Sequence, residues 1–141
     1  MRAVVIACLV CTACAGDQGI KGRVLVMSGN FMPRAEGTPP HGSTTAAPAV
    51  RVHVYRGRHR PVETLDRSDP AYLTSVVTDG AGAYKVRLAP GTYTVVTEHE
   101  GAPYLNCLSS TATGEPDWCA VEVRGGAWTE RDLRDDADSK W

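Results

Sequence analysis

The stretch TDGAGAYKVRLAPGTYTVV, residues 78–96, decides the fold class of this chain. After the turn residues Asp79-Gly80 and Ala81-Gly82, apolar side chains alternate with charged ones at Tyr84, Lys85, Val86, Arg87 and Leu88. That period of two is typical of a half-buried β-strand. Ala89-Pro90-Gly91 then turns the chain, because proline presets one turn position and glycine accepts a positive φ at another. A second alternation at residues 92–98 predicts the returning strand.

Five further segments have strand character and are bounded by turn residues: 20–27, 50–55, 73–77, 120–123 and 128–133. Residues 124–126 join the last two, which we expect to form a hairpin. Between the strands lie polar loops at residues 33–48, 57–70 and 101–118. Seven short strands without an amphipathic helix predict an all-β, two-sheet β-sandwich. The net charge of −1 excludes nucleic-acid binding through bulk positive charge.

Residues 1–13 resemble a bacterial lipoprotein signal peptide, with Arg2 before a short apolar run at residues 3–10. That run is too short to span a membrane. The resemblance implies that Cys14 becomes the lipidated first residue, that residues 14–19 form a short tether, and that Ala15 directs the protein to the outer membrane. Cys11 stands where such signals usually carry Leu. The alternative is ordinary secretion with cleavage after Ala15.

The cysteines fit an exported protein. Cys8 and Cys11 lie in the segment that is removed, and Cys14 is lipidated or lost, which leaves Cys107 and Cys119. A disulfide between this pair would close a loop of about a dozen residues and contribute about 2–4 kcal/mol. The alternative is two free buried thiols. Metal binding by the pair is disfavoured because no CxxC spacing is present.

The pattern T-D-x-x-G-x-Y-x-V-x-L-x-P-G-x-Y-x-V at residues 78–95 resembles the carboxypeptidase regulatory-like domain. Gly22-Arg23-Val24 and the GNFMP segment at residues 29–33 extend the resemblance, which covers most of residues 20–133. It implies a seven-stranded, Greek-key, transthyretin-like sandwich over residues 20–134, followed by an acidic C-terminal tail at 135–141. In carboxypeptidases this domain is an accessory beside the catalytic one.

No catalytic constellation is visible in the sequence. Tyr55-Arg56-Gly57 invites comparison with transthyretin-related hydrolases, but those carry Tyr-Arg-Gly-Ser at the C-terminus, where this chain has Asp-Ser-Lys-Trp. The two-Tyr, two-His iron site of intradiol dioxygenases has no matching spacing here. No G-x-S-x-G motif or phosphate-binding glycine loop is present. We therefore predict neither an enzyme nor a cofactor.

Histidines suggest an alternative function in metal binding. His99, with Glu98 or Glu100 and one loop histidine (His41 or His59), has donors suited to copper or zinc. The fourth histidine, His53, is predicted on the outward face of its strand. The competing interpretation is four scattered surface histidines.

Two sets of side chains are candidates for binding. Arg56, Arg58, His59 and Arg60 form a basic cluster that suits anionic lipid headgroups, or a solvated loop balanced by nearby carboxylates. Tyr104, Trp118 and Trp128 suit a carbohydrate- or peptide-binding surface, or simply packing.

The sequence therefore predicts a non-enzymatic cell-envelope module, attached to the membrane by a lipid. We expect it to bind a protein or glycan partner through its three loops or through a sheet edge that accepts a strand.

Overall fold

The computed structural model describes residues 16–32, 37–38, 41–59, 66–104, 109–110, 116–117 and 119–140. Those residues contain twelve strands and no helix. The strands are β1 (Gly19–Asn30), β2 (Ser43–Ala46), β3 (Arg51–Arg56), β4 (Tyr72–Val77), β5 (Ala83–Arg87), β6 (Gly91–His99), β7 (Ala102–Tyr104), β8 (Ser109–Ser110), β9 (Pro116–Asp117), β10 (Val121–Val123), β11 (Trp128–Glu130) and β12 (Leu133–Lys140).

The first sheet is built around β1. Strands β5 and β2 pair with it in antiparallel orientation, and β11 and β12 pair with it in parallel orientation. Val24 donates its N–H to the carbonyl of Gly82 and accepts a bond from the N–H of Ala47. Both groups of a strand residue point to the same side, so β5 and β2 flank the same side of β1.

The second sheet has the order β10-β6-β3-β4, and β7 pairs with the end of β6. Strands β8 and β9 form a separate two-stranded ladder. Both five-stranded sheets contribute to one buried apolar cluster, which includes Ile20, Val24, Val52, Val54, Val86, Val95 and Leu133. The molecule is therefore an all-β, two-sheet structure, consistent with a β-sandwich.

The alternation in residues 78–96 has the predicted result. Tyr84, Val86 and Leu88 are buried, whereas Lys85 and Arg87 are exposed. Tyr93 and Val95 fill the same core from β6. Thr94 and Val96 are also buried, because the outer face of the second sheet is covered around Tyr55 and Tyr72.

Several predicted loops contain strands. Residues 28–30 continue β1 instead of ending it, and β2 lies within the predicted loop 33–48. The predicted loop 101–118 contains β7, β8 and β9. These short segments lack an apolar alternation of their own and pair with longer strands or with each other.

Two predictions about the C-terminal part were wrong. Strands β10 and β11 do not form a hairpin, because β10 pairs with β6 in the second sheet and β11 with β1 in the first. Residues 135–140, assigned to an acidic tail, lie in β12, which pairs with β1 through Lys140. The carboxylates are tolerated there because neighbouring strands supply polar partners.

Candidate functional site

An open groove of about 630 Å³ extends from β11 across β1 and β5 to the end of β4. Six charged side chains line it, three basic and three acidic: Lys21, Arg23, Lys85, Asp79, Glu130 and Asp132. Val77 and Tyr84 add apolar surface, and Val77 is 51% exposed. The groove thus presents basic side chains, acidic side chains and one exposed apolar side chain.

The β5 side of the groove is a free sheet edge. Within the part of the chain that the structure describes, β5 pairs with β1 alone. Leu88 donates to the carbonyl of Gln18, and Val24 donates to that of Gly82. Antiparallel pairs alternate, so the peptide groups of Tyr84 and Val86 also face β1. Those of Lys85 and Arg87 consequently face away from the sheet.

The charges along this edge are incompletely balanced. Lys85 lies opposite Lys21 in the antiparallel register. Lys21 has a carboxylate neighbour, since its Nζ is 3.5 Å from Glu130 Oε1. Lys85 lies instead over the Trp128 ring, with Nζ 4.1 Å from the centroid. Arg87 is 3.7 Å from Asp17, in a pair whose side chains are both largely exposed, and such surface pairs contribute little. An added carboxylate beside Lys85 and Arg87 would therefore be favourable.

The proposed metal ligands are not brought together. Neighbouring residues of a strand face opposite sides, so Glu98 contacts His53 while His99 contacts Asp135. In the described ranges, no three His, Cys, Asp or Glu side chains are grouped to hold a metal ion. His41 is exposed, and His59 is buried with Nε2 3.0 Å from the Arg56 carbonyl.

His99 belongs to a polar clasp between the sheets, formed by His99, Tyr104, Asp135 and Asp136. His99 Nδ1 lies 2.8 Å from Asp135 Oδ2, and the Tyr104 hydroxyl donates to the Asp136 carboxylate. The bond to Asp135 raises the pKa of His99, although partial burial opposes this. Burial, followed by the bond to Asp136, raises the pKa of Tyr104 to about 12. The clasp thus joins β6 and β7 to β12.

His53 lies on the face of β3 opposite the core residues Val52 and Val54, as predicted, but this face is covered and the His53 side chain is only 2% exposed. Its Nε2 lies 2.6 Å from Glu98 Oε1, and Arg67 approaches the same oxygen at 4.0 Å. Tyr72 packs at 5.8 Å from the His53 ring and 5.4 Å from the Tyr55 ring. Burial is the main cause that raises the pKa of Tyr55 to about 12. His53 therefore belongs to a packed second cluster.

The remaining predicted binding residues are dispersed. Arg56 and Arg58 are exposed at the end of β3, far along the strand from the His99 clasp. Tyr104 packs on His99, with ring centroids 5.7 Å apart, and Trp128 lies under Lys85. Arg60, Trp118, Cys14 and Cys107 lie outside the described residues. Cys119 is 9% exposed, and its pairing with Cys107 stays a prediction.

Neither the groove nor the clasp was predicted from the sequence. Lys85 and Arg87 were visible only as the charged face of a strand, and nothing local indicated that this strand ends a sheet. Val77 was visible as a strand residue, without a signal for its exposure. Asp135 lay in an acidic run typical of a solvated segment. Each of these roles depends on which distant strand lies beside the residue.

Comparison with protein-family models, with curated proteins and with solved structures finds no match to this chain. The resemblance to the carboxypeptidase regulatory-like domain therefore stays a prediction from the motif at residues 78–95. Across the described ranges, no helix has the length and apolar character needed to cross a membrane.

Proposed function

We propose that this chain is an exported, lipid-anchored β-sandwich module that binds a partner protein through the groove beside β5. The observation that carries the proposal is the open groove beside the edge strand β5. It presents basic and acidic side chains together with exposed Val77. We propose further that the fold is the transthyretin-like Greek-key sandwich suggested by residues 78–95. The module acts at the cell envelope, on the outer membrane, without catalysis.

The way Gln18 is held in the domain supports a short anchor at Cys14. Gln18 is buried: its Nε2 donates to the Leu88 carbonyl at 3.3 Å, and its Oε1 accepts from the Gly126 N–H at 2.9 Å. Gln18, in the predicted tether at residues 14–19, is therefore held by the domain. Four residues span at most about 14 Å, so a lipid on Cys14 would hold the end of the domain containing Gly126 close to the membrane.

Mass spectrometry of the protein from its native envelope tests the anchor. We expect a mature N-terminus at a diacylated or triacylated Cys14, and no lipid on a Cys14→Ser variant. An unmodified N-terminus at Gly16 would show ordinary secretion instead and would remove the anchor from the proposal.

Site-specific photocrosslinking in intact cells tests the groove. A photoreactive residue at position 77 or 85 should capture the same envelope protein, because both positions line the groove. The matched control is exposed position 122 on β10, outside the groove. Equal capture from all three positions, or none from the groove, would contradict the proposal. Adducts with glycan instead of protein would identify the other class of partner.

A further inference from the structure

The free edge of β5 has the backbone pattern that accepts another strand. The peptide groups of Lys85 and Arg87 face away from β1, as derived above from the bonds of Leu88 and Val24. Ala83 differs, because its N–H and carbonyl bond to Asp79. Two residues, two apart along the strand, thus present donors and acceptors in the spacing that a further β-strand uses.

The side chains at this edge select the charge of an added strand. Lys85 and Arg87 are both exposed and project to the same face of the sheet. Lys85 already opposes Lys21 across the strand pair, and like charges in that position are destabilising. Carboxylates on an added strand would neutralise Lys85 and Arg87. One of them would replace Asp17 beside Arg87, and little stability would be lost because that ion pair is exposed.

The opposite face selects apolar residues. Tyr84 and Val86 point into the core from β5. Side chains of an added strand alternate between the two faces. One set would therefore lie beside Lys85 and Arg87, and the other would continue the core-facing row of Tyr84 and Val86.

A second copy of this chain fits the edge poorly. An antiparallel pair of β5 strands centred on Lys85 would place Lys85 against Lys85, and edge lysines commonly prevent such self-pairing. The same cations that oppose a second copy attract an acidic strand, which gives the edge a preference by charge.

From these observations we propose that β5 accepts an extended segment of a partner protein in which acidic residues alternate with apolar ones. The segment adds a strand to the first sheet, bonds to the peptide groups of Lys85 and Arg87, and places its carboxylates beside their side chains. This rests on the proposed function of the groove and names the chemistry of the partner.

Fluorescence anisotropy with the mature chain in detergent micelles tests the charge preference. The probe is a labelled peptide as long as β5, five residues, in which Glu alternates with Val; its control replaces Glu by Lys. We expect saturable binding of the Glu peptide only. The double variant Lys85→Glu/Arg87→Glu should weaken it about tenfold, since two cross-strand pairs change from attraction to repulsion, and should bind the Lys peptide instead.

Arg124→Glu is the matched control, because Arg124 is exposed on a turn outside the groove. This variant should bind the Glu peptide like the unmodified chain. If both variants lost binding of the Glu peptide equally, or if the double variant did not bind the Lys peptide, the charge assignment would be overturned.

Backbone N-methylation separates strand addition from charge attraction alone. In an added strand, only alternate N–H groups face β5. Of two Glu peptides methylated on alternate sets of residues, one should lose binding and the other keep it. Equal behaviour of the two peptides would overturn strand addition, as would dimerisation of the chain through β5 in sedimentation experiments. Groove crosslinks without peptide binding would refute this inference and leave the proposed function standing.

Discussion

At the scale of single residues, His99 shows how a polar side chain can join two sheets. Its ring bonds Asp135 and packs on Tyr104, while Asp138 and Glu100 add negative charge nearby. The three carboxylates favour the imidazolium, and the bond to Asp135 is the largest contribution to the raised pKa of His99. The clasp therefore makes stability depend on pH.

The sign of this dependence follows from linkage. The folded-state pKa of His99 lies above its ordinary value of 6.5. The stability that protonated His99 contributes is therefore fully present below pH 6.5, and it is lost as pH rises through the folded-state pKa. We expect the melting temperature to fall over that interval, and His99→Gln to flatten the fall. Thermal unfolding followed by circular dichroism at a series of pH values measures both.

His41→Gln is the control, because His41 is exposed and is not among the groups that shift the pKa of His99. It should keep the full pH dependence. An unchanged slope in His99→Gln would show that other groups cause the dependence.

At the scale of elements, β1 is the strand on which the first sheet depends. It pairs with four strands, and a bulge between Val26 and Ser28 changes the register of β12 along it. Gly22, in β1, lies against residues 131–132, which connect β11 to β12. A Cβ at this position would lie 2.0 Å from the Arg131 carbonyl oxygen. The close approach requires glycine.

Gly22→Ala tests this crossing. We expect a loss of about 2 kcal/mol or more in the free energy of unfolding, because backbone must move to make room. Urea unfolding measures it. Gly80→Ala is the matched control: nothing lies within 4 Å of the added Cβ, so its effect should stay within about 0.5 kcal/mol. Similar losses in both variants would show that crowding against Arg131 is not the cause of the loss at Gly22.

The strands differed in how well sequence predicted them. β5 and β6 carry their own alternation and turns, so local pattern was sufficient. β12 has Leu133 as its buried apolar residue, followed by acidic residues. Its strand state depends on parallel pairing with β1 and on the bond from Asp135 to His99. No local pattern encodes such partners.

At the scale of the whole molecule, β12 closes the structure. It supplies Leu133 to the core, pairs with β1 in the first sheet and joins the clasp to β6 and β7. A chain ending at Asp132 should therefore lose cooperative thermal unfolding, whereas a chain ending at Lys140 should keep it. Near-ultraviolet circular dichroism during heating distinguishes the two. A sharp transition in the shorter chain would mean that the sheets pack without β12.

The sequence by itself determined the all-β class and the strands around residues 78–96, because alternation and turn chemistry act over a few neighbouring residues. It also indicated which residues of β5 face the core. Only the tertiary structure decided that β5 lies at a sheet edge among the described residues, that Lys85 opposes Lys21, and that Asp135 is buried against His99. These features arise from pairing between segments up to about a hundred residues apart, as between β1 and β12, and long-range pairing depends on the complete set of strands.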